Sequence, residues 1–240
     1  MIYVGGINSW CIEIQIFPDS PIAQMPKIAY DEHCSLNGRL KRGIGVLGLL
    51  ALAISYIQKE FPHITKIQFD DCSYRECVEG QNIELAYFYY ALYGETWYMN
   101  KIGARFLNES DKTRFELSTN TFQQLKNEMT WEMYDQYVNT AHPLAVDEMR
   151  TLYDNSKTWI NFFQSIKHRV EIEDLCLYMA PWISNFIKNK TKLYFGGIPF
   201  ILDIPNPKLG SVEFDVRPYV SNGGKYTRRN RKIKVNGTLL

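Results

Sequence analysis

Two glycines one residue apart, Gly43 and Gly45, stand at the head of the longest apolar run in the chain, and Lys41 and Arg42 precede them. Glycine lets a backbone come close to a phosphate, and the amides of a helix's first turn point at an anion. The plain alternative for the same glycines is a tight loop with close helix packing. Carboxylates are the other chemical resource. Asp31, Glu32, Asp70 and Asp71 lie near the ends of the strands expected to flank this loop, where one could serve as a general base through water, although loop acids are usually just solvated. His33-Cys34 is a weak nucleophile pair, because adjacent side chains usually diverge. Asp70-Asp71 has no third ligand spaced to suit a metal, and Cys72 and Cys77 lack the second Cys/His pair of a structural zinc site. His142 and His168 are isolated and read as structural or surface residues.

The elements that must position these residues follow from pattern and punctuation. Met1 to Val4 and Cys11 to Phe17 read as a hairpin, and Lys27 to Tyr30 as a short strand. Val46 to Lys59 is a helix by its Leu, Ala and Gln content, stopped by Phe61-Pro62-His63. Ile64 to Phe69 is a buried strand, and Asp70 to Gly80 a loop. Asn82 is the expected cap of the next helix, whose stripe is Ile83, Ala86, Tyr87, Tyr90 and Ala91. Gly94 interrupts it, and Thr96 starts a further turn or two. Arg114 to Leu117 reads as a strand. Thr121 to Asn189 reads as mostly helical, with one stripe through Phe122, Leu125, Met129, Met133 and Val138 and another through Trp159, Phe162, Phe163 and Ile166. Lys192 to Phe195, Phe200 to Ile204 and Val212 to Val216 read as strands, and Ser221 onward as a tail.

The order loop, helix, strand, helix from Arg39 to Phe106 resembles the acyl-coenzyme A-binding half of the GNAT N-acetyltransferases. In that family the donor is held by a loop similar to Gln/Arg-x-x-Gly-x-Gly/Ala. Here Gly43-Ile44-Gly45 supplies the glycine pair, while Leu40 stands where Gln or Arg is the rule and Arg39 comes one residue early. A second family segment, Tyr-x-Lys-x-Gly-Phe, resembles Tyr98 to Phe106, with Lys101 three residues past Tyr98 instead of two. The resemblance implies that Arg39, Lys41, Arg42, Gly43, Ile44, Gly45 and Val46 bind acetyl-CoA and that Tyr98 is the general acid for the departing thiolate. It implies an N-acyltransferase with a small-molecule acyl donor and an amine acceptor. Trp97-Tyr98 also reads simply as a core aromatic pair. Only 38 residues precede Arg39, too few for the family's acceptor-side helices. That shortfall and Leu40 favour a second reading, a non-catalytic viral structural or host-interaction protein that keeps the fold. Gly94 to Tyr98 and the ending Gly223 to Arg229 resemble segments of proteins from large DNA viruses.

The fold expected is α/β: a mixed central sheet with helices on both faces, a GNAT-like N-terminal half over residues 1–118, and a helical extension returning to strands over 119–220. Residues 221–240 form a basic tail. A chain of 240 residues with 45% hydrophobic content buries a core of its own. Its net charge of +1 gives no overall steer toward nucleic acid or membrane. The apolar run from Gly43 to Tyr56 is too short to span a bilayer. Lys225, Arg228, Arg229, Arg231, Lys232 and Lys234 make residues 222–234 a candidate grip on nucleic acid or an acidic partner. The five cysteines are odd in number and irregularly spaced, which reads as reduced thiols in a cytoplasmic setting, host cytoplasm or virion if viral.

Overall fold

Alternating β-formers build the first strands. The structure, a computed structural model, describes residues 1–5, 11–28, 44–78, 81–138, 141–190, 195, 197–211, 213–218 and 231–236. Strands β1 (Ile2–Val4) and β2 (Ile12–Gln15) are antiparallel, with Ile2 opposite Ile14 and Val4 opposite Ile12, so the expected N-terminal hairpin is present. Gly5 turns the chain out of β1 at φ 78°, where a Cβ would lie 2.7 Å from Cys11 Sγ and 2.8 Å from Leu49 Cδ1. Only glycine fits there. Strand β3 (Ile22–Ile28) runs antiparallel to β2 across a bulge between Glu13 and Gln15. It starts earlier than the expected Lys27–Tyr30, of which Ala29 and Tyr30 lie outside the described residues.

Helix α1 (Ile44–Glu60) is buried at every position from Leu49 to Ser55, which explains its nearly unbroken apolar sequence. Phe61 N–H closes the last turn on Ile57 O at 2.8 Å, and Pro62 cannot continue it. Strand β4 (Lys66–Asp70) is parallel to β3, and α1 lies in the crossover that a parallel pair requires. The pairs are Ile22–Lys66, Ala23–Ile67 and Gln24–Gln68. Pairing stops there, although β3 runs on to Ile28 and β4 to Asp70. Pro26, in the end of β3 that no longer pairs with β4, has no N–H to offer a ladder.

The remaining elements are β5 (Tyr74–Val78), β6 (Gln81–Glu84), α2 (Leu85–Tyr93), α3 (Trp97–Ile102), β7 (Arg105–Phe106), α4 (Glu109–Glu128), α5 (Trp131–Asp135), α6 (Val146–Asp154), α7 (Trp159–Lys167), α8 (Ile172–Trp182) with a π turn over Ile183–Ile187, α9 (Lys188–Lys190), β8 (Pro199–Asp203), β9 (Glu213–Pro218) and β10 (Arg231–Asn236). The fold is α/β, with a mixed six-stranded sheet in the order β1-β2-β3-β4-β8-β7 and two two-stranded sheets, β5-β6 and β9-β10. By its own contacts the chain forms two units, Met1–Phe69 with Ile201–Leu240, and Asp70–Phe200.

The second unit has an aromatic core. Trp159, Trp182, Tyr134, Phe162 and Phe163 are fully buried, as the helical stripe through Trp159 and Ile166 requires. Two of the polar tips are matched, Trp159 Nε1–H donating to Phe122 O at 2.8 Å and Tyr134 OH to Tyr178 OH at 2.9 Å, whereas Trp182 Nε1 has no hydrogen-bond partner among the described residues. Lys126, only 5% exposed, sets its ammonium 3.5 Å from the Tyr153 ring centre.

Six expectations are corrected. Arg114 to Leu117 is helix, not strand: it lies inside α4, where Lys112 pairs with Glu109 at 2.8 Å and Arg114 with Asp111 at 3.1 Å, one turn apart. The expected loop Asp70 to Gly80 contains β5, and Asn82 is no cap but lies in β6 opposite Glu76. In the α4 stripe Lys126 is buried in place of Leu125, and Met133 is exposed. Arg231 to Asn236 is strand, not tail: β10 pairs along its whole length with β9, Ile233 opposite Val216 and Val235 opposite Phe214. Finally, the cysteines are not all reduced. Cys77 of β5 is bonded to Cys176 of α8 with Cα atoms 5.4 Å apart, and Cys11 is also in a disulfide.

Candidate active site

Tyr98 is fixed by a short helix pinned at both ends. Thr96 caps α3 by accepting Met99 N–H on its side chain at 3.4 Å. At the other end Gly103, at φ 67°, turns its N–H back onto Met99 O and Tyr98 O. Trp97 stands edge-on to the Tyr98 ring at 4.9 Å, and Phe200 lies 6.5 Å away. The ring is 2% exposed.

What lies at the Tyr98 hydroxyl comes from the residues that follow β4. Asp71 Oδ1 accepts two bonds from Ser73, the backbone N–H at 3.0 Å and the hydroxyl at 2.5 Å. This is a local aspartate turn, in which a side chain imitates the next peptide carbonyl. The Ser73 side chain is in turn hydrogen-bonded to Tyr98. This Ser73 interaction lowers the Tyr98 pKa, so it favours the phenolate form. The three residues thus form a line, Tyr98 to Ser73 to Asp71. It ends on Asp71 Oδ2, which is buried and has no hydrogen-bond partner among the described residues.

Burial sets the electrostatics of this line. Burial pushes the Tyr98 phenol far above its usual range, with the negative charges of Asp71 and Cys72 acting the same way and the Ser73 bond opposing them. Burial also raises the Asp71 carboxyl, and Glu84 adds to that; the two Ser73 bonds pull the other way. Cys72, between them in sequence, is an exposed free thiol raised by partial burial and by Asp70 and Asp71. A phenol that stays neutral is a proton donor, not a nucleophile.

The anion-binding candidates fall elsewhere in the chain. Ile44, Gly45 and Val46 form the first turn of α1, and no acidic side chain occupies that turn. The amides at a helix N-terminus favour an anion, and no acidic side chain within this turn competes for them. Gly45 and Val46 are buried. Arg39, Lys41, Arg42 and Gly43 lie outside the described residues, as do Asp31, Glu32, His33 and Cys34. Ile44, Gly45 and Val46 belong to the first unit, and Tyr98, Asp71 and Ser73 to the second. Among the described residues no cluster of His, Cys, Asp and Glu is arranged to hold a metal ion, and no helix is long and apolar enough to cross a membrane.

Ser73 is the member of this group that sequence reading missed. The available signal was Asp71-Cys72-Ser73, the spacing of an aspartate turn directly after a strand. Compared with known protein families, curated proteins and solved structures, the chain matches none.

Proposed function

We propose that the chain is an acyl-CoA-dependent N-acyltransferase of GNAT-like topology, moving an acetyl group from coenzyme A to an amine. The observation that carries this reading is the β3–α1–β4 unit. Two parallel strands stop pairing after Gln24 and Gln68 while both run on, and a helix with no acidic residue in its first turn lies between them in the chain. Ligands of sheets with parallel strands sit beyond the strands' carboxyl ends, where unpaired backbone and helix amides are both at hand. The chain leaves β3 toward residues 29–43 and leaves β4 directly into Asp71-Cys72-Ser73.

In this reading Arg39, Lys41, Arg42 and Gly43 with the first turn Ile44, Gly45 and Val46 hold the pyrophosphate of acetyl-CoA. The amine attacks the thioester carbon, and backbone N–H groups freed where β3 and β4 part stabilise the oxyanion. Collapse of the tetrahedral intermediate breaks the carbon–sulfur bond. The role of protonating the leaving sulfur falls to Tyr98 by the GNAT resemblance, while the burial that raises its pKa opposes the transfer.

Isothermal titration with coenzyme A tests the donor site. The parent should bind, and Gly45→Val should lose binding with its circular dichroism unchanged, because a side chain at that turn fills the space a phosphate needs. Equal affinity in the variant, or no binding by the parent, would remove the donor claim. Tyr98→Phe tests the acid: turnover should fall about ten-fold or more with coenzyme A affinity unchanged.

A further inference from the structure

Tyr89 and Tyr93 lie one turn apart on α2 with ring centres 5.1 Å from each other, and both rings are half-buried. Helices α3 and α7 both pack on α2, and each brings a lysine to this tyrosine pair. Lys101 Nζ, from α3, lies 5.9 Å from the Tyr89 ring centre. Lys167 Nζ, from α7, lies 5.1 Å from the Tyr93 ring centre and donates to the Tyr93 hydroxyl at 2.7 Å. Gln164, one turn before Lys167, donates to Leu92 O at 2.8 Å and so ties α7 to α2 at this place. Both lysines occupy the last turns of their helices, where the macrodipole favours a cation. Neither meets a carboxylate among the described residues. Other cations of the same unit do: Arg75 with Glu173, Arg150 with Glu132, Arg169 with Glu148 and Lys188 with Glu84. Glu95, the acid between α2 and α3, accepts instead from Asn100 at 3.5 Å.

We infer that this patch binds single-stranded nucleic acid, with neighbouring phosphates on Lys101 and Lys167 and bases against Tyr89 and Tyr93. Two ammonium groups without a counter-ion flank two rings that keep part of their surface in water. A single strand supplies both partners at once, an anion at every step and a π face on every base. Lysine contacts a phosphate as a point charge and needs no fixed fork geometry. Each lysine is anchored at a different ring, which suits two neighbouring phosphates and not one. An acidic peptide would satisfy the lysines and leave the rings without a partner. A duplex keeps its base faces stacked inside and offers the rings nothing. All four side chains belong to the unit Asp70–Phe200, so the site stands apart from the acyltransferase reading and does not rest on it.

Fluorescence polarisation of a labelled oligothymidylate with the full chain tests this. The parent should bind the strand, and bind it more weakly once it is annealed to its complement. Log affinity should fall linearly with log salt, with a slope of about −0.7 for each phosphate contacted. Lys101→Gln and Lys167→Gln should each weaken binding and make that slope shallower by about 0.7. Tyr89→Leu should weaken binding about ten-fold with the slope unchanged, and Tyr89→Phe, which keeps the ring, should bind like the parent. Lys101 is exposed, so Lys101→Gln reports on the site even where a tyrosine variant fails to fold. No binding by the parent would overturn the proposal. So would parental affinity and slope in Lys101→Gln, as when binding is lost only on deleting residues 222–240. Equal affinity for the duplex, or for thymidine monophosphate, would also refute it.

Discussion

Asp71 makes stability depend on pH in a direction opposite to most aspartates. Its pKa in the folded chain is raised above the ordinary value of about 3.9. The folded state therefore holds the proton more tightly than the unfolded one. The stability this adds is complete below that ordinary value and is lost as pH rises through the folded value. Asp71→Asn should remove the dependence: its melting temperature relative to the parent should climb as pH rises from 4 to 8. Parallel profiles for the two proteins would rule the assignment out. Sequence reading placed Asp71 among four loop acids and had no way to rank them, because burial is decided by distant packing. Lys126 shows the same limit. A periodic stripe chose Leu125 and Met133 as core, whereas the structure buries the lysine against Tyr153 and Trp159. Ring faces accept a cation that an aliphatic core would reject. Lys126→Gln, which keeps most of the length and drops the charge, should cost on the order of 1 kcal/mol in urea unfolding. A variant as stable as the parent would mean the rings gain nothing from the charge.

At the level of elements, punctuation was legible and pairing was not. Gly94 at φ 73° and the Thr96 cap were marked in the sequence and do what such residues do. Thr96 is fully buried, so Thr96→Ala should cost about 1 kcal/mol, seen as a lower melting temperature. The crossover β3–α1–β4 was also readable, since a long apolar helix between two strands has few other uses. Arg114 to Leu117 misled because it holds a Phe and a Leu among charges; the helical pairs Lys112–Glu109 and Arg114–Asp111 appear only when the turn is counted from Asn108. The β5–β6 hairpin was hidden by the polar residues of Tyr74–Val78, a strand whose only buried side chain is Cys77. At the C-terminus, cationic composition hid an alternating strand. Its pairing with β9 reverses a natural expectation: deleting residues 222–240 should lower the melting temperature, because it removes a ladder partner and leaves β9 with a bare edge. Unchanged melting would return Arg231–Asn236 to the status of a tail.

For the whole molecule, the α/β class and the mixed sheet were readable from the order of elements, and the division at residue 70 was not. Units built from discontinuous stretches, such as Met1–Phe69 with Ile201–Leu240, leave no linker in the sequence to mark them. Nor did counting cysteines reveal that two of them, 99 residues apart, are joined. Closing a loop of that length restricts the unfolded chain by about 4–5 kcal/mol in the chain-entropy account. Reductant, or the pair Cys77→Ala with Cys176→Ala, should therefore lower the melting temperature markedly; equal melting in both states would dismiss the bond. The same covalent tie changes how the protein breaks. A single protease cut anywhere between residues 78 and 175 opens the backbone without severing the molecule. Such a nicked chain migrates as one band on a non-reducing gel and falls into two fragments only when the disulfide is reduced.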